Sequence, residues 1–315
     1  MEKGLVIKST GSWYSVKLEN GKIVSCRIKG KFRLQGIQTT NPVTVGDSVI
    51  IELQEDDNGM IVEIEPRKNY IIRKSVNLSK KAHIIASNID LAFLVVTVNY
   101  PKTYLNFIDR FLVTAEAYHI PTVLIFNKID LISTTELAEL ETMVEVYSKI
   151  GYRCIKTSVE KNINIDEVKS EMTNKTSVFS GNSGVGKSSL INLIDHSLKI
   201  KTSDISDTHN QGKHTTTFAE MHELKFGGHI IDTPGIKGLG IIDIEKEEIH
   251  HYFPEMRERM NDCKFHNCVH VNEPKCAIKK AVEEGEIAEF RYENYLNLFH
   301  GDDTSGFRES LYAPK

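Results

Sequence analysis

One stretch of the chain has the residue types and spacing of a phosphate-binding loop. Residues 181–188, Gly-Asn-Ser-Gly-Val-Gly-Lys-Ser, match the pattern G-x-x-x-x-G-K-[ST] in full, between the apolar segment TSVFS and the helical segment SSLINLI. Glycines at these positions allow backbone N–H groups to converge on phosphates, and the N-terminus of the following helix adds its dipole. The alternative interpretation is a glycine-rich turn between a strand and a helix.

The loop predicts a bound nucleotide with Mg²⁺. We expect Lys187 to reach the β- and γ-phosphates and the Ser188 hydroxyl to bind Mg²⁺. The predicted contacts of the loop are Gly181, Asn182, Ser183, Gly184, Val185, Gly186, Lys187, Ser188 and Ser189.

A second motif, Asn127-Lys128-Ile129-Asp130, predicts which base the nucleotide carries, and it follows the apolar segment PTVLIF. The Asp130 carboxylate can accept two hydrogen bonds from guanine, whereas adenine offers neither donor and would leave the carboxylate unpaired. Thr157-Ser158-Val159, at the end of the next predicted strand, is expected to contact the guanine O6 through its backbone. These motifs therefore favour GTP over ATP, with Asn127, Lys128, Asp130, Thr157, Ser158 and Val159 around the base.

Two later segments are predicted to respond to the γ-phosphate. Asp232-Thr233-Pro234-Gly235 ends the apolar segment HIID, where a P-loop NTPase places its second carboxylate on the metal side. Asp232 is therefore expected to assist Mg²⁺ binding, and the Gly235 N–H is expected to sense the γ-phosphate. One threonine of the run 215–217 should complete the Mg²⁺ shell, and we assign this role to Thr216.

Three of the five cysteines cluster near the C-terminal end of the sequence. Cys263, Cys268 and Cys276 are joined by His270 in the pattern C-x₄-C-x-H-x₅-C. Three thiolates and one imidazole form a complete tetrahedral set for a structural Zn²⁺, which leaves no open position for catalysis at the metal. His266 competes for the role of imidazole ligand, and buried free cysteines are the alternative to a metal site.

Residues 1–66 are predicted to form a small β-barrel. About five short apolar segments are separated by turn residues, among them Asn20-Gly21, and Asn-Gly between such segments strongly indicates a hairpin. The OB-fold, which commonly binds oligonucleotides, is preferred over an SH3-like or other small barrel. Residues 1–81 contain 14 Lys and Arg against 9 Asp and Glu, and the remainder contains 25 against 34. The basic end of this acidic chain is thus suited to RNA phosphates, although a solvated surface is equally compatible.

From residue 88 onward, apolar strands alternate with helices, which predicts a parallel α/β sheet. The base-reading motif precedes the phosphate loop and the switch segments come last, whereas other GTPases begin with the phosphate loop. The same sheet can form from a circularly permuted chain, because domain termini often lie close together. The predicted protein is therefore multidomain: an OB-fold barrel at 1–66, a basic linker at 67–87, a permuted α/β P-loop GTPase domain at 88–240 and a mainly α-helical zinc-binding domain at 241–315.

Composition limits the class of protein. The chain has 315 residues, of which 40% are apolar and 26% charged, as in soluble globular proteins. The sequence lacks a run of about 18 apolar residues and a secretory signal, so we expect a cytoplasmic protein with no membrane span. A reducing compartment also favours metal binding over disulfides for the cysteine cluster.

Taken together, the sequence resembles the family of small ribosomal subunit biogenesis GTPases called RsgA or YjeQ. The resemblance is carried in chain order by NKID, TSV, GNSGVGKSS, GKHTTT, DTPG and the C-x₄-C-x-H-x₅-C pattern, behind a small β-barrel. It implies a GTPase that acts in late maturation of the 30S subunit, is stimulated by that subunit and contacts its 16S rRNA through both outer domains. A monomer is expected.

The group that orients the attacking water is the open point of this assignment. Ile236 follows Gly235 where Ras-like GTPases carry a glutamine, and an apolar side chain cannot orient water, so slow hydrolysis completed by a partner is expected. His214 resembles the switch-loop histidine of the family and is the internal catalytic candidate beside Lys187 and Thr216, with a surface histidine as the alternative. Slow hydrolysis would also suit an RNA-binding, nucleotide-sensing module, and a P-loop ATPase acting on RNA is a further alternative that NKID disfavours.

Overall fold

The structure is a computed structural model that describes residues 1–29, 42–54, 58–74, 82–198, 219–232 and 244–301. Within these ranges, none of the helices combines the length and the apolar character needed to cross a bilayer. Four of the predicted residues, His214, Thr216, Gly235 and Ile236, lie outside the described residues.

The N-terminal strands close into a five-stranded barrel. The strands are β1 Glu2–Ser9, β2 Tyr14–Leu18, β3 Ile23–Ile28, β4 Ser48–Leu53 and β5 Asn58–Ile64. They follow the order β1-β2-β3-β5-β4, β4 pairs back with β1, and β3 and β5 run parallel. Alternate residues of each strand point inward, as a barrel requires. The predicted OB-type barrel is confirmed.

Two strands, β6 Tyr70–Lys74 and β7 Ala82–Ser87, form an antiparallel pair within the range predicted as a linker. This pair is tied to the barrel by a buried ion pair, because the Arg67 Nε and Nη2 atoms each lie 2.6 Å from an oxygen of Asp47. The Ser87 hydroxyl donates to the same carboxylate at 2.6 Å. The segment is thus packed against the barrel.

The central sheet begins with β8 Leu91–Val96, α1 Leu105–Ala117, β9 Thr122–Phe126, α2 Thr134–Ile150 and β10 Arg153–Lys156. β8 and β9 are buried at every position, as expected for strands covered on both faces. Ser133 and Glu136 form a reciprocal capping box that fixes the start of α2.

The sheet continues with α3 Ile165–Met172, β11 Thr176–Ser180, α4 Lys187–Ile194, β12 Glu220–Glu223 and β13 His229–Asp232. The strand order is β10-β9-β8-β11-β13-β12, and each pair is parallel except that of β12 with β13. The carboxyl ends of the parallel strands therefore share one edge, where ligands bind in such sheets. β12 also pairs with β1 of the barrel, with Glu220 opposite Lys8.

The C-terminal part is helical, as predicted. A 3₁₀ helix at Lys246–Tyr252 precedes α5 Pro254–Arg257, α6 Ala277–Glu283 and α7 Glu289–His300. α7 packs on α1 around the fully buried Arg291.

A buried polar cluster joins α7 to the central sheet's helices. The Arg291 guanidinium contacts Asp109 of α1 at 2.6 Å and Glu255 of α5 at 2.7 Å. Asn294 and Tyr147 complete the hydrogen bonds to Asp109, at 2.6 and 2.7 Å. Because every charge in this cluster has a partner, it fixes the C-terminal part on α1 and α2.

Candidate nucleotide site and metal centre

The predicted phosphate loop lies between the end of β11 and the start of α4. Gly181, Gly184 and Gly186 have φ values of 138°, 84° and 95°, a region that side chains other than glycine rarely adopt. A Cβ on Gly181 would lie 2.1 Å from the Val95 carbonyl oxygen, and one on Gly186 would lie 2.5 Å from Asn127 Nδ2. The loop backbone therefore lies directly against the end of β8 and against the base-reading motif.

A cation and an uncapped helix end face the same loop. The Lys187 ammonium donates to the carbonyl oxygens of Gly181 and Asn182, each at 2.6 Å. No side chain caps α4, and its first turn contains no acidic residue, so its positive end remains available to an anion. Ser188 is half-buried and Ser189 exposed in this first turn. The electrostatics of the loop favour bound phosphate.

The base-reading motif is fastened to the phosphate loop by side chains. Asn127 Nδ2 donates to the Val185 carbonyl at 2.8 Å, across 58 residues of sequence, and Lys128 Nζ donates to the Gly184 carbonyl at 2.7 Å. Lys128 also donates to the Tyr100 carbonyl at 2.8 Å. Burial lowers the pKa of Lys128, and the nearby Asp130 charge opposes that shift. The two motifs that are reversed in sequence thus lie in direct contact.

The carboxylate of Asp130 is held by the segment that follows β10. The Ser158 hydroxyl donates to Asp130 Oδ1 and in turn accepts from the Lys161 N–H at 3.0 Å. The Thr157 hydroxyl donates to Asn127 Oδ1 at 3.0 Å. Both hydroxyl residues are fully buried, so these contacts orient the motif rigidly.

Sequence reasoning assigned Thr157, Ser158 and Val159 backbone contacts to the base and missed the side-chain contacts of the two hydroxyl residues with the motif. The only sequence signal for these contacts was that both residues carry a hydroxyl group. No sequence signal pointed to the contact of Tyr100 with Lys128, because Tyr100 accepts through its main-chain carbonyl.

Asp232 is the described member of the predicted switch segments. It ends β13 and is exposed there, at the edge of the sheet from which the phosphate loop also leaves β11. β12 and β13 pair Glu220 with Asp232, so the strand that carries Asp232 is one strand away from the barrel.

The four predicted metal ligands converge in the C-terminal part. The three sulfur atoms and the ligand nitrogen lie within 4.8 Å of one another. His270 Nδ1 lies 3.6 Å from Cys263 Sγ and 3.4 Å from Cys276 Sγ. His266 is exposed and outside this group. The cluster has the donor set of a tetrahedral metal site, and His270 rather than His266 supplies its nitrogen.

The loop that carries His270 is fixed by its neighbours. His270 has a φ of 62°, and its carbonyl accepts from the Tyr292 hydroxyl at 2.7 Å. Glu273 accepts from the N–H groups of Val269 and Val271, both at 2.9 Å. Desolvation by burial is the largest influence on the pKa of the Cys268 thiol, which rises to about 12. A metal ion would replace protons on the thiols, as metal sites require.

The fold and the two sites define a P-loop GTPase whose base-reading motif precedes its phosphate loop in the chain. The chain belongs to the RsgA GTPase family. The family described as RsgA GTPase matches residues 64–242, and the one described as RsgA N-terminal domain matches residues 3–61.

Relatives and solved structures agree with this membership. The chain is 59% identical to the Small ribosomal subunit biogenesis GTPase RsgA of Christiangramia forsetii, over 96% of each chain. It is 54% identical to the protein of the same name in Flavobacterium psychrophilum, over 98% of this chain and 95% of the relative. It is also similar to YjeQ from Thermotoga maritima, with 38% identity and a TM-score of 0.78 over 95% of this chain and 98% of the other.

A second solved structure shares the permuted order. YloQ, described as a circularly permuted GTPase, is 34% identical with a TM-score of 0.76, over 96% of this chain and 94% of the other. The predicted permutation is confirmed.

Proposed function

We propose that this GTPase acts in late maturation of the small, 30S ribosomal subunit and that the subunit stimulates its hydrolysis of GTP. The observation that carries the nucleotide assignment is the contact of Asn127 and Lys128 with the carbonyls of Val185 and Gly184. The names of the relatives in Christiangramia and Flavobacterium support the ribosomal role. Such a role belongs to the cytoplasm, and we expect a monomer without membrane contact.

Guanine recognition is assigned to Asp130. Ser158 holds one carboxylate oxygen, and the carboxylate is expected to accept from N1–H and the 2-amino group of the base. Asn127 and Lys128 keep this carboxylate at a fixed distance from the phosphate loop, and the backbone of residues 157–159 is expected to meet the guanine O6. Adenine offers neither of these donors, so it would leave the half-buried Asp130 carboxylate without its two partners on the base, which supports selectivity for GTP.

The hydrolytic chemistry is assigned to the loop and the switch segments. Lys187 and the N–H groups of residues 181–189 would hold the β- and γ-phosphates and stabilise the charge of the transferring phosphoryl group. Ser188, Thr216 and Asp232 are the proposed Mg²⁺ ligands, and Gly235 the proposed sensor of the γ-phosphate. His214 is the internal candidate for orienting the attacking water. Mg²⁺ would neutralise charge on the phosphate oxygens.

The metal centre is proposed to bind one structural Zn²⁺. Cys263, Cys268, Cys276 and His270 would fill all four positions of a tetrahedral ion, so the ion would hold the C-terminal part together. That part and the barrel are the proposed contacts with 16S rRNA.

The decisive experiment is GTP hydrolysis titrated with purified small subunits. We expect multiple-turnover hydrolysis to rise with subunit concentration, and Lys187→Ala or Ser188→Ala to abolish the stimulated rate. Lys149→Ala and Ser170→Ala, which alter exposed residues of α2 and α3, are matched controls that should retain it. If the hydrolysis rate of the wild-type protein does not change with subunit concentration, an RNA-binding module with incidental hydrolysis is favoured.

A further inference from the structure

The barrel carries an aromatic–guanidinium pair to which the proposed roles assign no function. Trp13 is the single tryptophan of the chain and lies between β1 and β2. The Arg27 guanidinium carbon lies 4.0 Å from the centre of the Trp13 ring. Arg27 is exposed and Trp13 half-buried. Such a stack holds both planar groups in place at the surface.

Several other cations in the described part of the barrel pair with carboxylates. Lys3, Lys17 and Lys29 pair with Glu65, Glu223 and Glu52, respectively. Arg27, in contrast, has no carboxylate partner within the described part of the chain, and its contact there is the Trp13 ring. As far as the described residues are concerned, its N–H groups and its charge therefore remain available to a ligand that carries both a flat apolar face and negative charge.

The outward-facing side chains next to the pair are mostly uncharged. Val24 and Cys26 of β3 are buried, so Ile23, Ser25 and Arg27 face outward. Ser25 lies opposite Ser15 of β2, and Arg27 lies opposite Met60 of β5. Small hydroxyl side chains thus border the stack, and Ile23 is 58% exposed at the far end of the strand.

We propose that Trp13 and Arg27 form a stacking platform for an unpaired base of single-stranded RNA. Each nucleotide offers a base that stacks on aromatic and guanidinium planes and a phosphate that attracts the Arg27 charge. The hydroxyls of Ser15 and Ser25 supply hydrogen bonds to the base edge or the sugar. The proposal rests on the proposed function only in taking RNA as the partner of the barrel.

Trp13 gives a direct test, because it is the sole tryptophan and reports on stacking through its fluorescence. Full-length protein is titrated with a short oligoadenylate, and a labelled copy of this RNA gives the affinity by anisotropy. We expect the RNA to quench Trp13 emission and Trp13→Ala to weaken binding about tenfold, as loss of one stacked base does. Trp13→Phe keeps a ring and should stay within about threefold of wild type.

Arg27 variants separate stacking from charge. Arg27→Lys keeps the charge but loses the planar group, so it should weaken binding several-fold, and Arg27→Ala should weaken it further. Lys29→Ala removes the same charge from a neighbouring, ion-paired site and should have the smaller effect. Wild-type affinity in Arg27→Lys, or binding without quenching, would overturn the platform.

The platform and the ribosomal role fail in different ways. Subunit-stimulated hydrolysis without any quenching by oligoadenylate rejects the platform alone. The opposite result is quenching that depends on Trp13 and Arg27 while the subunit leaves the hydrolysis rate unchanged. It would support the platform and reject the ribosomal role.

Discussion

The nucleotide site and the metal centre are built in opposite ways. The four metal ligands come from 14 consecutive residues, Cys263 to Cys276, whereas Asn127 and Val185 of the nucleotide site meet across 58 residues. The metal centre depends on one loop and one ion. The nucleotide site depends on the order of the strands in the sheet. A local site should therefore fail completely when its ion is lost, whereas the distributed site should lose affinity by steps.

The largest expected effect is loss of the metal. Chelation or Cys276→Ser should unfold residues 244–301, because structural zinc contributes on the order of 10 kcal/mol to small folds. GTP affinity should change only a few-fold. Metal analysis and thermal unfolding measure the loss of the ion and of the fold, and nucleotide titration measures the GTP affinity.

Cys154→Ser is the matched control for this experiment, because Cys154 is a free cysteine in β10 outside the cluster. It should retain the metal. A Cys276→Ser protein with full metal content and unchanged unfolding would contradict the local dependence on the ion.

The next largest effect is expected at Asp130. Asp130→Asn removes the carboxylate that would accept both guanine donors, so GTP affinity should fall by about a thousand-fold or more. The metal content should not change. Competition of GTP with xanthosine triphosphate measures the change in base preference, because the amide of the variant can donate to the xanthine 2-oxygen. If this variant still preferred guanine as strongly as the wild type, the base would not bind at Asp130.

Arg291→Met tests the buried contact that holds the C-terminal part, which carries the metal centre, on α1 of the central domain. It leaves the buried carboxylates of Asp109 and Glu255 without their cation, which should cost about 3–5 kcal/mol of unfolding free energy. Chemical denaturation of the full chain measures this. Arg259→Met breaks the exposed pair with Glu286 and should cost less than about 1 kcal/mol. Equal losses of unfolding free energy in the two variants would show that the buried cluster does not hold the C-terminal part in place.

The smallest effect is expected at Ser158. Ser158→Ala removes one hydrogen bond to the Asp130 carboxylate, which corresponds to about 1.5–3 kcal/mol for a charged partner and less if water replaces it. GTP should bind about tenfold more weakly, while the rate at saturating GTP stays near wild type. Loss of turnover with unchanged affinity would indicate a catalytic role that we do not assign to Ser158.

The sequence by itself determined the motifs and most of the elements, although it predicted a linker where β6 and β7 pair. The apolar segment TSVFS forms β11 and the segment that follows the phosphate loop forms α4, because apolar periodicity and turn residues act locally. The spacing of Cys263, Cys268, His270 and Cys276 likewise identified a metal site, since its ligands are close in the chain. His270 was the predicted nitrogen ligand with His266 as its competitor, and the structure leaves His266 exposed and outside the group.

Only the tertiary structure decided which distant groups meet. The hydrogen bond of Ser158 to Asp130, the stack of Arg27 on Trp13 and the burial of Arg291 against Asp109 join residues that no local pattern relates. Short-range preferences fix a strand or a turn, but strand order and helix packing arise from burial of apolar surface over the whole chain. Those long-range contacts bring Asn127 against the phosphate loop, so the site follows from the sheet as much as from its motifs.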